Sequence, residues 1–139
     1  MEKQSKIEHG LFLAIVGLVA WAIPGAGHFA IKERKRAIII FVTITLTFLI
    51  GLYVGSIAVV DSVGAWPWYI AQMMTSPAVG ILAHITKTGQ YVSYGKPYDI
   101  GQIYTSIAGM LNLLCIVSAV YMAYSGRGEL IGEEEDAAV

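Results

Sequence analysis

Few side chains in this 139-residue chain have the chemistry to bind or react: His9, His28, His84, Cys115 and Asn112. A histidine can hold a haem iron or a chlorophyll magnesium or carry a proton. His28, beside Gly25 and Gly27, is the first candidate ligand, and His84 the second. His9 and His28 lie 19 residues apart, about 28 Å on one straight helix, so they are expected at opposite ends and cannot share a metal. Cys115 is the single cysteine, which excludes an intramolecular disulfide and a thiolate cluster. No Ser/His/Asp or Cys/His set converges by spacing, and no phosphate-binding glycine loop follows a strand. The chain is therefore expected not to be an enzyme and to hold no metal.

The elements that must position these residues are apolar. Hydrophobic residues make up 56% of the chain and charged residues 14%, and the mean hydropathy is +0.64; soluble domains run at about 45–50% and 25%. The net charge of −1 conceals segregation, with Lys32, Arg34, Lys35 and Arg36 in one turn and Glu129, Glu133, Glu134, Glu135 and Asp136 near the end. The expected fold is an all-α integral membrane protein without a sheet, with a polar lead over 1–9, a transmembrane domain over 10–125 and an acidic tail over 126–139. Four hydrophobic segments fall at 10–31, 37–60, 65–86 and 102–125, each long enough to cross a core about 30 Å thick.

Three of these segments read as spans. In 10–31, Pro24 lacks the N–H that would bond the Ala20 carbonyl, so a kink or break is expected there, with Gly25 and Gly27 admitting a close neighbour. The segment 65–86 contains Pro67, Gln72, Pro77 and His84; it is either a kinked span, a re-entrant pair of short helices or an interfacial helix. The cationic turn 32–36 serves topology or anionic-lipid binding, and the positive-inside rule makes it cytoplasmic, with the N-terminus on the other side. Counting Lys and Arg on the two sides favours four spans.

Two faces read as packing surfaces. Thr43, Thr47, Gly51 and Gly55 recur every fourth residue and include a GxxxG match, and Ala108, Asn112 and Ala119 make a small, slightly polar face. Small residues let helices approach closely, and an amide in lipid seeks an interhelical hydrogen bond of about 0.6–2 kcal/mol. The partner helix is either in this chain or in another protein.

Two blocks, Trp21-Ala22-Ile23-Pro24-Gly25-Ala26-Gly27-His28-Phe29 with its basic turn and Tyr104–Leu114, give a resemblance to small bacterial membrane proteins related to the TM2 domain. The likeness covers about a third of the chain, with Ala30 where relatives carry an aromatic and Lys32 where they carry glycine. It implies a multi-pass helical fold in a bacterial plasma membrane and no particular chemistry.

The leading functional expectation is an accessory subunit that packs against other integral membrane subunits among the lipids, its acidic tail docked on a partner. The alternatives are a chlorophyll-, haem- or quinone-associated subunit of an energy-transducing complex, or a homo-oligomeric pore. Nucleic-acid binding is disfavoured, because the only basic cluster is short and sits against the membrane.

Overall fold

The computed structural model describes residues 2–89 and 91–126, with side chains from residue 6 onward. Among them there is no strand; six α-helices run in the order α1 Glu2–Ala22, α2 Ala26–Ala30, α3 Arg34–Gly55, α4 Trp66–Met73, α5 Ala78–Gly89 and α6 Lys96–Ser125. Two of them, α3 and α6, are long and apolar enough to cross a membrane.

The antiparallel pair α3 and α6 forms the frame. Near one end a Cβ on Gly51 would meet the Gly101 carbonyl at 2.9 Å, and a Cβ on Gly101 would meet the Gly51 carbonyl at 2.6 Å. Only glycine permits that approach. At the other end the Arg36 guanidinium lies 3.7 Å from the Met122 sulfur. Ile44 and Phe48 of α3 form the core with Val60, Val79, Ala83 and Ala108.

The first apolar segment, expected as one span over 10–31 with a kink or break at Pro24, is a hairpin. Pro24 ends α1, and Gly25, in the left-handed region at φ 83°, reverses the chain; a Cβ there would strike the Ala37 carbonyl. The short α2 then folds back along α1, with Gly27 against Ala20 and Val16 and Ala30–Lys32 beside His9 and Phe12. His9 and His28 therefore belong to one end of the bundle, and the spacing of a straight helix does not apply. The N-terminus is at the same end as the basic turn, not opposite it, and Gly126 joins them.

The segment 65–86 is not one continuous helix but a pair of short helices, α4 and α5. α4 runs alongside α6, with Trp68 level with Ser106 and Ala71 against Gly109. The turn through Pro77 then sends α5 back, until the Thr86 hydroxyl donates to the Ile57 carbonyl at 3.0 Å. The expected helix to Val60 stops at Gly55: Ser56 takes a positive φ of 64°, and a 3₁₀ turn, Ile57–Val59, tucks Ala58, Val59 and Val60 into the interior. α6 begins at Lys96, six residues before the expected start, with Pro97 in its first turn, a position where the missing N–H costs nothing.

The chain thus builds one arrangement twice, as hairpin, long helix, hairpin, long helix. The first hairpin fills the half of the bundle at the basic end, and the second fills the opposite half. Their tips meet beside the middle of α6.

Candidate functional site

The meeting of the two tips poses a hydrogen-bonding problem. The last carbonyls of α1 and α4 have no partner within their helices, and they converge where water is excluded. Asn112, fully buried on α6, solves most of it. Its amide nitrogen lies 2.9 Å from the Met74 carbonyl, 3.0 Å from that of Thr75 and 3.4 Å from that of Ala20. The tips also bind each other directly: the Trp21 indole N–H donates to the Met73 carbonyl at 2.9 Å, and the Ser76 hydroxyl donates to the Ala22 carbonyl at 3.0 Å.

A second amide extends the centre toward the other end. Gln72, also fully buried, donates to the Thr105 hydroxyl at 2.8 Å and to the Val59 carbonyl at 3.2 Å. Thr105 passes its own proton to the Gly101 or Gln102 carbonyl within α6. A carbonyl can only accept, so both side-chain NH₂ groups must face their carbonyls and both amide oxygens must point away. Asn112 Oδ1 and Gln72 Oε1 are consequently buried without a protein partner, and Thr75 Oγ1 is buried without one as well. Buried oxygens in this position suit a water, another small hydrogen-bond donor or a cation.

Backbone approach makes the centre possible. At Gly109 a Cβ would collide with the Ala71 carbonyl and come within 3.1 Å of Thr75 Oγ1; any side chain there would push α4 off α6.

The residues expected to matter fall into separate groups. Asn112, Ala108 and Ala119 are fully buried inside this chain. Gly51 and Gly55 are buried too, but against α6 of the same chain, which is their partner helix. Thr43 is exposed, and Thr47 only returns a hydrogen bond to the Thr43 carbonyl at 2.8 Å, so the four-member stripe is divided between an inner and an outer half. Pro24, Gly25 and Gly27 form the first tip. In the basic turn, Lys32 is exposed with φ 69°, Arg34 lies 5.9 Å over the Phe29 ring, Lys35 is exposed, and Arg36 pairs with Glu33 at 3.8 Å.

The candidate ligands do not converge. His28 is buried with Nδ1 unpartnered, at a shallow cleft of about 370 Å³ shared with Arg36, Cys115 and Ser118. His84 is exposed on α5. Among the described residues no three His, Cys, Asp or Glu side chains gather as a metal site would require. The acidic tail from 127 onward lies outside the described residues.

Gln72, Thr75, Trp21 and Gly109 were not singled out by their types. A signal for them does exist: Pro24-x-x-Gly27 recurs as Pro77-x-x-Gly80, 53 residues later. In each copy residues seven and eleven positions before the glycine border it, closely in the first, by Ala20 and Val16, and loosely in the second, by the side-chain ends of Met73 and Tyr69.

Fold and centre together define, among the described residues, an all-helical protein of two hairpin-and-long-helix halves in the same order and opposite orientation. A family model matches residues 15–128, and the chain belongs to that family, the family of unknown function DUF6677. No curated protein and no solved structure gives a match.

Proposed function

We propose that the chain is a non-enzymatic protein of the bacterial plasma membrane that holds a small cation or polar solute at mid-membrane, between two half-depth hairpins. The carrying observation is a set of three buried, unpartnered oxygens, Gln72 Oε1 and Thr75 Oγ1 where the second broken segment ends and Asn112 Oδ1 on the α6 amide that bonds both tips. Paired, interrupted hydrophobic segments in corresponding positions of two halves point to a midplane binding site in membrane carriers. Helix C-termini aimed at one point add negative potential there. Irregular backbone at membrane depth is tolerated only where protein or a polar cavity covers it, and Asn112, Trp21 and Ser76 supply that cover.

The membrane reading is supported by the apolar outer faces of α3 and α6. Ile38, Phe41, Leu49 and Tyr53 on one, and Ile103, Leu114 and Tyr121 on the other, are all exposed. Lys6, Lys32, Arg34, Lys35 and Arg36 belong to one end, and Lys87 and Lys96 to the other, so the positive-inside rule puts the basic end in the cytoplasm. With two spans and two re-entrant hairpins, the N-terminus is cytoplasmic as well. Lys6→Cys and Asp99→Cys, each in a Cys115→Ser background, test this in intact cells: an impermeant maleimide labels position 99 and spares position 6. The opposite pattern reverses the orientation.

Binding is tested on purified protein carrying Trp66→Phe and Trp68→Phe, so that Trp21 alone reports. Sodium, potassium and ammonium are titrated in turn. A saturable fluorescence change that Gln72→Leu abolishes supports the site; no response to any of the three removes the cation form of the proposal.

The accessory-subunit reading retains one supporting observation. A groove of about 490 Å³ between α4 and α6 has Ala71 and Ser106 among its lining residues, with Trp68, Ile103 and Met110 around them; small residues admit a neighbouring helix. Native purification with mass spectrometry and a visible spectrum tests it. Membrane proteins in fixed ratio support a subunit role, and a visible band moves a haem or chlorophyll at His28 to the front.

A further inference from the structure

We infer that the outer groove at the basic end is a binding site for one anionic phospholipid of the cytoplasmic leaflet, its chain lying in the groove and its phosphate on Lys32 and Arg34. This rests on the membrane reading above and is independent of the mid-membrane site. Ile23, Pro24, Phe29, Ala37, Ile38 and Phe41 line a groove of about 390 Å³ where the first hairpin leans on α3. Its lining is apolar throughout, which suits a hydrocarbon chain.

Charge at the mouth selects the head group. Phe29 is a wall of the groove and is itself exposed, and the Arg34 guanidinium lies 5.9 Å over its ring, on the rim and not in the depth. Lys32, two residues before, is exposed and adopts a positive φ of 69°, a conformation in which glycine would be the unstrained choice. Arg36 is turned the other way, to Glu33 and Met122. The rim therefore offers the Arg34 guanidinium beside an apolar slot, with the exposed Lys32 in the same turn lining the neighbouring cleft by His9, at the level where the membrane surface lies. Guanidinium and ammonium groups bind phosphate by charge-assisted hydrogen bonds, and a basic cluster at the cytoplasmic leaflet attracts anionic lipid. A quinone shares the chain and lacks the anion; a partner helix needs neither cation.

The test is native mass spectrometry of detergent-purified protein incubated with phosphatidylglycerol, phosphatidylcholine of the same chains, or ubiquinone. Phosphatidylglycerol is expected to remain bound one per chain, with at least fivefold preference over phosphatidylcholine. Lys32→Gln with Arg34→Gln, both at the surface, removes that preference; Ile38→Trp, which fills the slot, removes retention of the lipid altogether. Equal retention of the two phospholipids, preference for ubiquinone, or an unchanged preference in the double variant overturns the inference. Membrane reading and lipid site fail separately: carbonate extraction that releases the protein from its membranes refutes the first, whereas failure of the lipid assay on protein that stays in the membrane refutes only the second.

Discussion

In the first hairpin Gly27 rests on Ala20 and Val16, and in the second Gly80 rests at the same spacings against Met73 and Tyr69, yet the two tips are finished with opposite chemistry. The first turns through Pro24 and Gly25, a left-handed glycine pressed against the α3 backbone. It contributes carbonyls and the Trp21 indole. The second turns through Thr75, Ser76 and Pro77 and brings Gln72, so it contributes side-chain oxygens, two of them unpartnered. Close backbone fit shapes the turn of the first, whose side-chain and carbonyl groups at the tip find partners; the second has surplus polarity. A repeated backbone motif thus carries two jobs, closure of the centre from the basic side and lining of it from the other. Asn112, on α6, serves both tips with one amide.

That shared amide gives the largest expected effect. Asn112→Leu leaves three mid-bundle carbonyls without their donor, and each unpaired buried group costs about 1–3 kcal/mol. A loss of about 3 kcal/mol or more, read by thermal unfolding in detergent, is expected, together with loosening of both hairpins. Destabilisation below about 1 kcal/mol would mean that the tips are held by other contacts.

Two glycines separate the hairpins. Gly25→Ala puts a Cβ into the Ala37 carbonyl at a positive φ, so it should raise hydrogen exchange across 26–30 while leaving 78–89 protected. Gly109→Ala drives into the Ala71 carbonyl and should do the reverse, exposing α4 and α5 only. Each is expected to cost about 2 kcal/mol, in the range of overpacked cores. Equal loosening of both hairpins by either variant would show that they open as one unit and erase the comparison.

The apolar segments, the break at Pro24 and the importance of Asn112 are legible in the sequence because each follows from a local rule: hydropathy, a missing N–H, an amide in an apolar run. Reversal of the chain at Gly25 is not legible that way. A proline kink and a proline turn begin identically, and only the fit of Gly27 against Ala20 and Val16 decides between them. The same holds for the GxxxG at Gly51 and Gly55. Its spacing identifies a packing face, but the partner is set by Gly101, fifty residues along the chain from Gly51. Thr75 looks like a polar blemish in a doubtful span until the second tip brings its carbonyl to Asn112, and so does Gln72 until α4 brings its amide to Thr105. The Pro-x-x-Gly repeat was the available clue, because it marks both turns at once.

Smaller effects sharpen the difference between the tips. Thr75→Val removes a buried hydroxyl that has no protein partner, so the empty protein should be stabilised by about 1 kcal/mol. If a ligand or water uses that oxygen, the gain vanishes or turns into a loss. Trp21→Phe, by contrast, frees the Met73 carbonyl and should cost about 1 kcal/mol.

The smallest effect belongs to the outer half of the α3 stripe. Thr43 is exposed and the Thr47 hydroxyl bonds only to the carbonyl one turn before it. Thr43→Val with Thr47→Val therefore changes the unfolding midpoint of the isolated protein by the equivalent of no more than about 0.5 kcal/mol. The same pair can still matter in the membrane, since these positions face outward on a helix whose inner glycines are occupied by α6. Co-purification of the double variant from its own membrane separates the possibilities. Loss of a bound membrane protein without loss of stability would make this face a partner's docking site; an unchanged complement would leave it to lipid, and with it would go the main reason for looking outside the chain for the stripe's function.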